Sequence, residues 1–238
     1  MMSASAAAIY AVRMEHDAAG AEQEQIARWS ARVPEERAAR IARFRHWEDQ
    51  WRSLAGDMLV RAVLQRRYGL RAEQLTVIRG PHGKPRLVGD DVHYNVSHSG
   101  IWAVAAFHTE PIGVDIERIG RADMQLAKSM FEASEYDALA VLPDCERDRS
   151  FFAIWTGKES YIKAVGRGLS IPLDSFSVAA RHNGGGLLPA VKVAGSLGTE
   201  PAWHLRAFEL DADYMLSACS TRDAWPDRVH IMTAAELD

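Results

Sequence analysis

Cysteine is nearly missing from this chain of 238 residues: there are two, Cys145 and Cys219, far apart, with no Cys-x-x-Cys pair and no histidines grouped around either. That excludes a disulfide framework and a Cys/His zinc site, and it fits a reducing, cytoplasmic setting. Long apolar runs are missing too. No stretch of 18 or more apolar residues occurs, which excludes a membrane-spanning helix. The alanine-rich first ten residues have neither a basic lead nor a long apolar core, so no signal peptide is expected. Lysine is the third scarcity, five residues against twenty-three arginines. Three of the five, Lys84, Lys158 and Lys163, fall inside the motifs below, which points to positions where a compact ammonium is wanted and a planar guanidinium is not.

What is present suits a globular protein, with 47% hydrophobic and 25% charged residues. The net charge of −4 conceals an asymmetry. Residues 28–86 hold fourteen Lys and Arg against six Asp and Glu, whereas residues 111–238 hold thirteen against nineteen. A basic first part facing an acidic second part suits a phosphate-rich ligand on one side and a cation on the other. A solvated Arg-rich helix face is the plainer alternative. The acidic second part argues against an extended nucleic-acid surface.

Periodicity predicts strands at 9–14, 75–79, 92–96, 102–107, 112–117, 173–180, 190–193, 204–210 and 214–220, followed by a polar tail. It predicts helices at 21–30, at 34–68 with a break near 45–48, at 124–131, at 134–142, and from 148 through 165. A helix, Gly69-Leu70, a short strand and a strand at 102–106 are echoed by a helix, Gly168-Leu169, a short strand and a strand at 214–218. The expectation is an α/β (α+β) fold of two pseudo-symmetric subdomains, residues 1–110 and 111–238, with a ligand cleft between them. A chance likeness of two α/β segments would give the same order.

The chemistry converges on residues 155–169, Trp-Thr-Gly-Lys-Glu-Ser-Tyr-Ile-Lys-Ala-Val-Gly-Arg-Gly-Leu. The stretch reads as a helix opening near Gly157 and stopped by the paired glycines, with Glu159 and Lys163 on one face. An exposed salt bridge worth about 0.3–0.5 kcal/mol would show the same spacing. Asp115 and Glu117, two apart in an otherwise apolar strand, place two carboxylates on one side, and buried acids need a partner. A hard divalent cation such as Mg²⁺ is one such partner, with Glu159 as a third ligand; carboxylates that merely face solvent are the alternative. Residues 95–100, Asn-Val-Ser-His-Ser-Gly, pack small polar groups into a bend that could present N–H groups to a phosphate, or that is simply a satisfied turn. A serine nucleophile paired with His98 is disfavoured, because adjacent residues are poorly placed to activate each other and no Gly-x-Ser-x-Gly occurs. Lys84, on a Gly/Pro loop, is either a phosphate contact or a surface lysine.

Together, Arg43-Phe44 through Arg61, Gly83-Lys84-Pro85, Tyr94-Asn95-Val96-Ser97-His98-Ser99, Gly113-Val114-Asp115-Ile116-Glu117 and residues 155–169 closely resemble the 4'-phosphopantetheinyl transferases, of the type that activates surfactin synthetase. The resemblance runs in order along nearly the whole chain. It implies two fused pseudo-symmetric halves and transfer of the phosphopantetheine arm of coenzyme A to a serine of an apo acyl, peptidyl or aryl carrier domain. Position by position, it implies that Asp115, Glu117 and Glu159 bind Mg²⁺. Lys84, Ser97, His98 and Lys163 would grip the pyrophosphate and 3'-phosphate side of coenzyme A, with Pro85 beside Lys84 and Ser53 near the adenine. Arg37 and Arg40 stand where the family has lysines for the 3'-phosphate, charge-preserving but different in geometry. Residues 165–189 would correspond to the carrier-docking region, and a fused pair of halves implies a monomer. Glu159, directly or through a water, would take the serine proton, and Lys163 would stabilise the leaving adenosine 3',5'-bisphosphate. Two other functions share parts of this pattern: a Mg²⁺-dependent phosphodiesterase or nuclease, and a coenzyme A-binding module without turnover.

Overall fold

The computed structural model describes residues 6–15, 20–71, 76–89, 92–181, 187–189 and 202–238. Strand β1 (Ala8–Arg13) leads to α1 (Ala21–Ser30), α2 (Glu35–Ile41) and α3 (Trp47–Tyr68). The expected break in the long helical stretch lies between α2 and α3. Acids in the first turn of α3, Glu48 and Asp49, and arginines in its last, Arg66 and Arg67, complement the helix dipole. Gly69, at φ 70°, stops it in the left-handed conformation. A short hairpin, β2 (Val77–Arg79) and β3 (Pro85–Leu87), precedes β4 (His93–Ser99) and β5 (Trp102–His108).

The second half follows the same plan. After β6 (Ile112–Arg118) come α4 (Met124–Met130), α5 (Ala133–Ala140) and α6 (Asp144–Val165), which ends on Gly166 at φ 77°. Helices α3 and α6 are each 22 residues long. A hairpin of β7 (Ala179–Arg181) and β8 (Leu187–Pro189) then precedes β9 (His204–Phe208) and β10 (Tyr214–Ser220). In the first sheet β5 lies antiparallel between β1 and β4; in the second β10 lies antiparallel between β6 and β9. The two antiparallel triplets correspond strand for strand, as the internal echo predicted.

Three apolar clusters stack into layers of helix, sheet, sheet and helix. Ala103, Ala105 and Phe107 of β5 pack against Leu54, Met58 and Leu59 of α3. The opposite face of β5, with Trp102, Val104 and Ala106, meets Val114, Ile116, Leu216 and Ala218 of the second sheet. Beyond that sheet Ile154, Tyr161 and Ile162 of α6 close the last layer. No helix among the described residues is long and apolar enough to cross a membrane.

Four expectations are corrected. The helix carrying Glu159 and Lys163 starts at Asp144, so Gly157 is buried in its middle. Ser97 to Ser99 lie on β4, and the turn falls on Gly100 and Ile101; small polar residues signalled a bend because that is where they usually find partners, but here the partners are on β6. The segment from Leu173 forms a 3-10 turn at Leu173–Ser175, leaving only Ala179–Arg181 extended. The carbonyls of Leu173 and Phe176 accept from the buried Lys158 ammonium at 2.8 and 2.5 Å, which holds them away from strand pairing. The polar tail contains β11 (His230–Met232), parallel to β1, and a 3-10 turn at Ala234–Leu237. The strand expected at 190–193 lies outside the described residues.

Candidate active site

A cleft of about 1020 Å³ opens between the two halves. Among the residues lining it are Arg37 and Arg40 of α2, Ser53, Asp57 and Arg61 of α3, and Arg79 of the β2–β3 hairpin. Ser97 and His98 of β4, Asp115 and Glu117 of β6, and Trp155, Glu159 and Lys163 of α6 line it as well. Four arginines and one lysine thus share a single concavity with the carboxylates of Asp115, Glu117 and Glu159, with Glu36 and Asp57, and with Val60, Tyr94 and Val96.

Residue spacing places the side chains of β6 and α6. On β6, Val114 and Ile116 turn into the core between the sheets, so Gly113, Asp115 and Glu117 face α6. Gly113 lets α6 lie directly on the strand: a Cβ there would stand 2.0 Å from the Ser160 carbonyl oxygen and 2.4 Å from the Ala164 nitrogen. With the helix that close, Lys163 Nζ reaches Asp115 Oδ1 at 2.5 Å and Ser97 Oγ at 3.2 Å, and Ser97 Oγ donates to Asp115 Oδ1 at 2.8 Å. Ser99 Oγ donates to Glu117 Oε2 at 2.9 Å. Glu159 and Lys163 share a helix face as expected, yet the ammonium is paired with Asp115 across the helix–strand junction.

Burial raises the pKa of Glu117, reinforced by the Asp115 charge. Burial also raises that of Glu159; Lys163 opposes the shift and Asp115 adds to it. His98 is held below the ordinary imidazole value by burial and by Arg52 and Lys163, so it is neutral at neutral pH. Tyr94 is pushed up to about 12 by burial and stays protonated.

The donor chemistry here suits a hard cation. Asp115 is 2% exposed, and its Oδ2 is buried without a hydrogen-bond partner among the described residues, the kind of orphaned acceptor that needs an answer. The carboxylates do not close into a cage: among the described residues no three of His, Cys, Asp and Glu stand close enough to hold a metal ion between them. A cation held by one or two chain carboxylates leaves most of an octahedron to phosphate oxygens and water, the usual Mg²⁺ arrangement at phosphate sites.

Of the site residues read from the sequence, Arg37, Arg40, Ser53, Pro85, Ser97, His98, Asp115, Glu117, Glu159 and Lys163 all line the cleft. Arg37 is engaged there, its Nε donating to Asp57 Oδ2 at 2.7 Å and its Nη2 to Ser53 Oγ at 2.9 Å. Lys84 is the exception. Its ammonium donates to the carbonyls of Ile112 and Ala164 at 3.0 and 2.9 Å, fastening the loop before β3 to the start of β6 and the end of α6. Burial lowers its pKa to about 8. Lys158 is likewise structural: its fully buried ammonium pairs with Glu135 Oε2 at 2.7 Å. Arg61 and Tyr94 fall inside the motifs that carry the resemblance but have no role assigned there, and sequence reasoning passes over Arg79; all three line the cleft.

A family model described as the 4'-phosphopantetheinyl transferase superfamily matches residues 111–219, and one described as 4'-phosphopantetheinyl transferase, N-terminal, matches residues 20–110. The chain is 37% identical to a 4'-phosphopantetheinyl transferase of Bacillus subtilis over 96% of its own length and 99% of that protein. It is 34% identical to 4'-phosphopantetheinyl transferase Sfp of Bacillus subtilis (strain 168), again over 96% and 99%. A relative from Bacillus pumilus, 4'-phosphopantetheinyl transferase psf-1, is 32% identical over 90% of each chain. With two family models matching residues 20–219 between them and relatives 34–37% identical over 96% of its length, this chain belongs to the 4'-phosphopantetheinyl transferases of the Sfp-like type and is a transferase enzyme.

Proposed function

We propose that the protein transfers the 4'-phosphopantetheine arm of coenzyme A to a serine hydroxyl of an apo carrier domain, with Mg²⁺, and releases adenosine 3',5'-bisphosphate. The observation that carries this reading is one cleft lined by four arginines together with the carboxylates of Asp115, Glu117 and Glu159 and the Lys163 ammonium. Arg40, Arg61 and Arg79 suit the 3'-phosphate side, and Arg37 can join them by exchanging Asp57 for the ligand. His98, being neutral, can donate to a phosphate oxygen without adding charge. Asp115 and Glu117 would hold Mg²⁺, which when bound screens the pyrophosphate and makes its phosphorus easier to attack.

In the transfer the serine oxygen bonds to the phosphorus that bears pantetheine, and the bond from that phosphorus to the bridging oxygen breaks. The serine proton goes to Glu159, whose raised pKa brings it closer to neutrality and makes it a better base than an ordinary surface carboxylate. Charge that develops on the leaving bisphosphate meets Lys163, which the cleft already holds in place through Asp115 and Ser97. Two halves, residues 1–110 and 111–238, supply the coenzyme A grip and the acidic centre respectively; the two family-model matches meet at that boundary and support the division. The carrier would present an acidic, serine-bearing helix to the region 165–189, and the enzyme would work as a cytoplasmic monomer.

The test is to incubate the protein with coenzyme A, Mg²⁺ and an apo carrier protein and weigh the carrier. A mass gain of one phosphopantetheine is the expected result. Coenzyme A binding without a gain would instead indicate a binding module, and nicked nucleic acid in a parallel assay would indicate a phosphodiesterase.

A further inference from the structure

Strands β4 and β6 belong to different sheets and share no backbone ladder, yet they are stitched together by side chains. Asn95 Oδ1 accepts from the Val114 N–H at 2.9 Å, Ser97 Oγ from the Ile116 N–H at 3.4 Å, and Ser99 Oγ from the Arg118 N–H at 3.0 Å. Alternate residues of one strand thus answer alternate amides of the other, the period of two that a pleated strand imposes. The two serines do more than the asparagine. Each hydroxyl has one proton to give, and each gives it to the carboxylate just before the amide it binds: Ser97 to Asp115 Oδ1 and Ser99 to Glu117 Oε2.

We propose that Ser99 is a positioning residue for Glu117, anchoring Oε2 so that the other oxygen of this carboxylate is the one offered to a cation in the cleft. The argument is geometric. A hydroxyl that accepts from a backbone N–H has its orientation fixed, and its proton then fixes the carboxylate. Ser97 repeats the arrangement at Asp115, where the anchored Oδ1 also takes Lys163 and the other oxygen, Oδ2, is left without a partner among the described residues. The same device at two successive carboxylates presets which oxygens remain for a ligand, work otherwise done by outer partners of metal-binding carboxylates.

This inference rests on the Mg²⁺ reading, and its test separates the two. Mg²⁺ is titrated calorimetrically into the coenzyme A-saturated protein without carrier, so that no turnover contributes. Ser99→Ala is expected to weaken Mg²⁺ binding by about tenfold, the lower range for loss of an outer partner. Ser99→Thr keeps a hydroxyl able to accept and donate and should restore binding to within about threefold of the starting protein. Asn95→Ala removes a stitch with no carboxylate attached and should leave Mg²⁺ affinity unchanged. If the unaltered protein takes up no Mg²⁺, the metal reading falls and this inference with it. If it binds Mg²⁺ but Ser99→Ala binds equally well, or Asn95→Ala loses as much as Ser99→Ala, the metal reading stands and the role of Ser99 is overturned.

Discussion

Asp115 is almost fully enclosed, and the fold gives its charge one ammonium and one hydroxyl to lean on. Removing one member of a buried ion pair leaves the other stranded, which costs about 3–5 kcal/mol when both are fully enclosed and less here, because the Lys163 side chain is 28% exposed. Lys163→Ala should therefore abolish transfer and also lower the melting temperature by several degrees. Glu159→Ala should abolish transfer with little change in melting. Carrier mass and thermal unfolding, measured on the same preparations, check both. The raised carboxyls give a second expectation. A carboxyl with a folded-state pKa above its unfolded value favours the fold fully below the ordinary value of 4.5 and loses that contribution as pH rises through the shifted value. Glu117→Gln or Glu159→Gln should thus raise the melting temperature of the metal-free protein at pH 7 slightly. The gain should disappear in melts recorded below pH 4.5.

Among the elements, the contact of α6 with β6 decides the site, because it brings a helix lysine onto a strand aspartate. Gly113→Ala would place a methyl group against two backbone atoms that cannot swing aside. Overpacking of this kind costs about 1–3 kcal/mol or more, and relief requires α6 to lift away. The expected result is a lowered melting temperature together with loss of transfer, read by calorimetry and carrier mass. Lys84 guards the far end of the same contact, holding Ala164 next to Lys163. A hydrogen bond to a charged group contributes about 1.5–3 kcal/mol, so Lys84→Met should lower stability by about that much while coenzyme A affinity changes less than the melting temperature does. A large loss of coenzyme A binding with unchanged melting would instead make Lys84 a phosphate contact.

For the whole molecule, the last ten residues matter more than a polar tail suggests. Strand β11 extends the first sheet, Leu237 and Met232 enter the core under α3, and Trp29 Nε1 donates to Asp238 Oδ1 at 2.8 Å. Burying side chains of this size contributes about 1.5–3 kcal/mol each. Removing residues 229–238 should then cost about 5 kcal/mol, close to the whole stability of a modest domain. Circular dichroism melts and limited proteolysis should show the first half opening before the second, even though the deleted residues come from the opposite end of the chain.

Local pattern alone was enough for much of this protein. The period of two in residues 112–117 put Asp115 and Glu117 on one face, the period of 3.6 put Glu159 and Lys163 together, and paired half-chains of helix, glycine stop and strands foretold two matching sheets. These features depend on a few neighbouring residues and on backbone geometry that repeats. What only the tertiary structure decided is which partner each charged group takes. The three motif lysines look alike in sequence, yet Lys84 clasps carbonyls, Lys158 is buried against Glu135, and Lys163 alone enters the cleft. Ser97 and Ser99 read as a bend because their partners lie on a strand of the other sheet. Long-range pairing of polar groups follows from how the layers stack, which the spacing of residues along the chain does not encode.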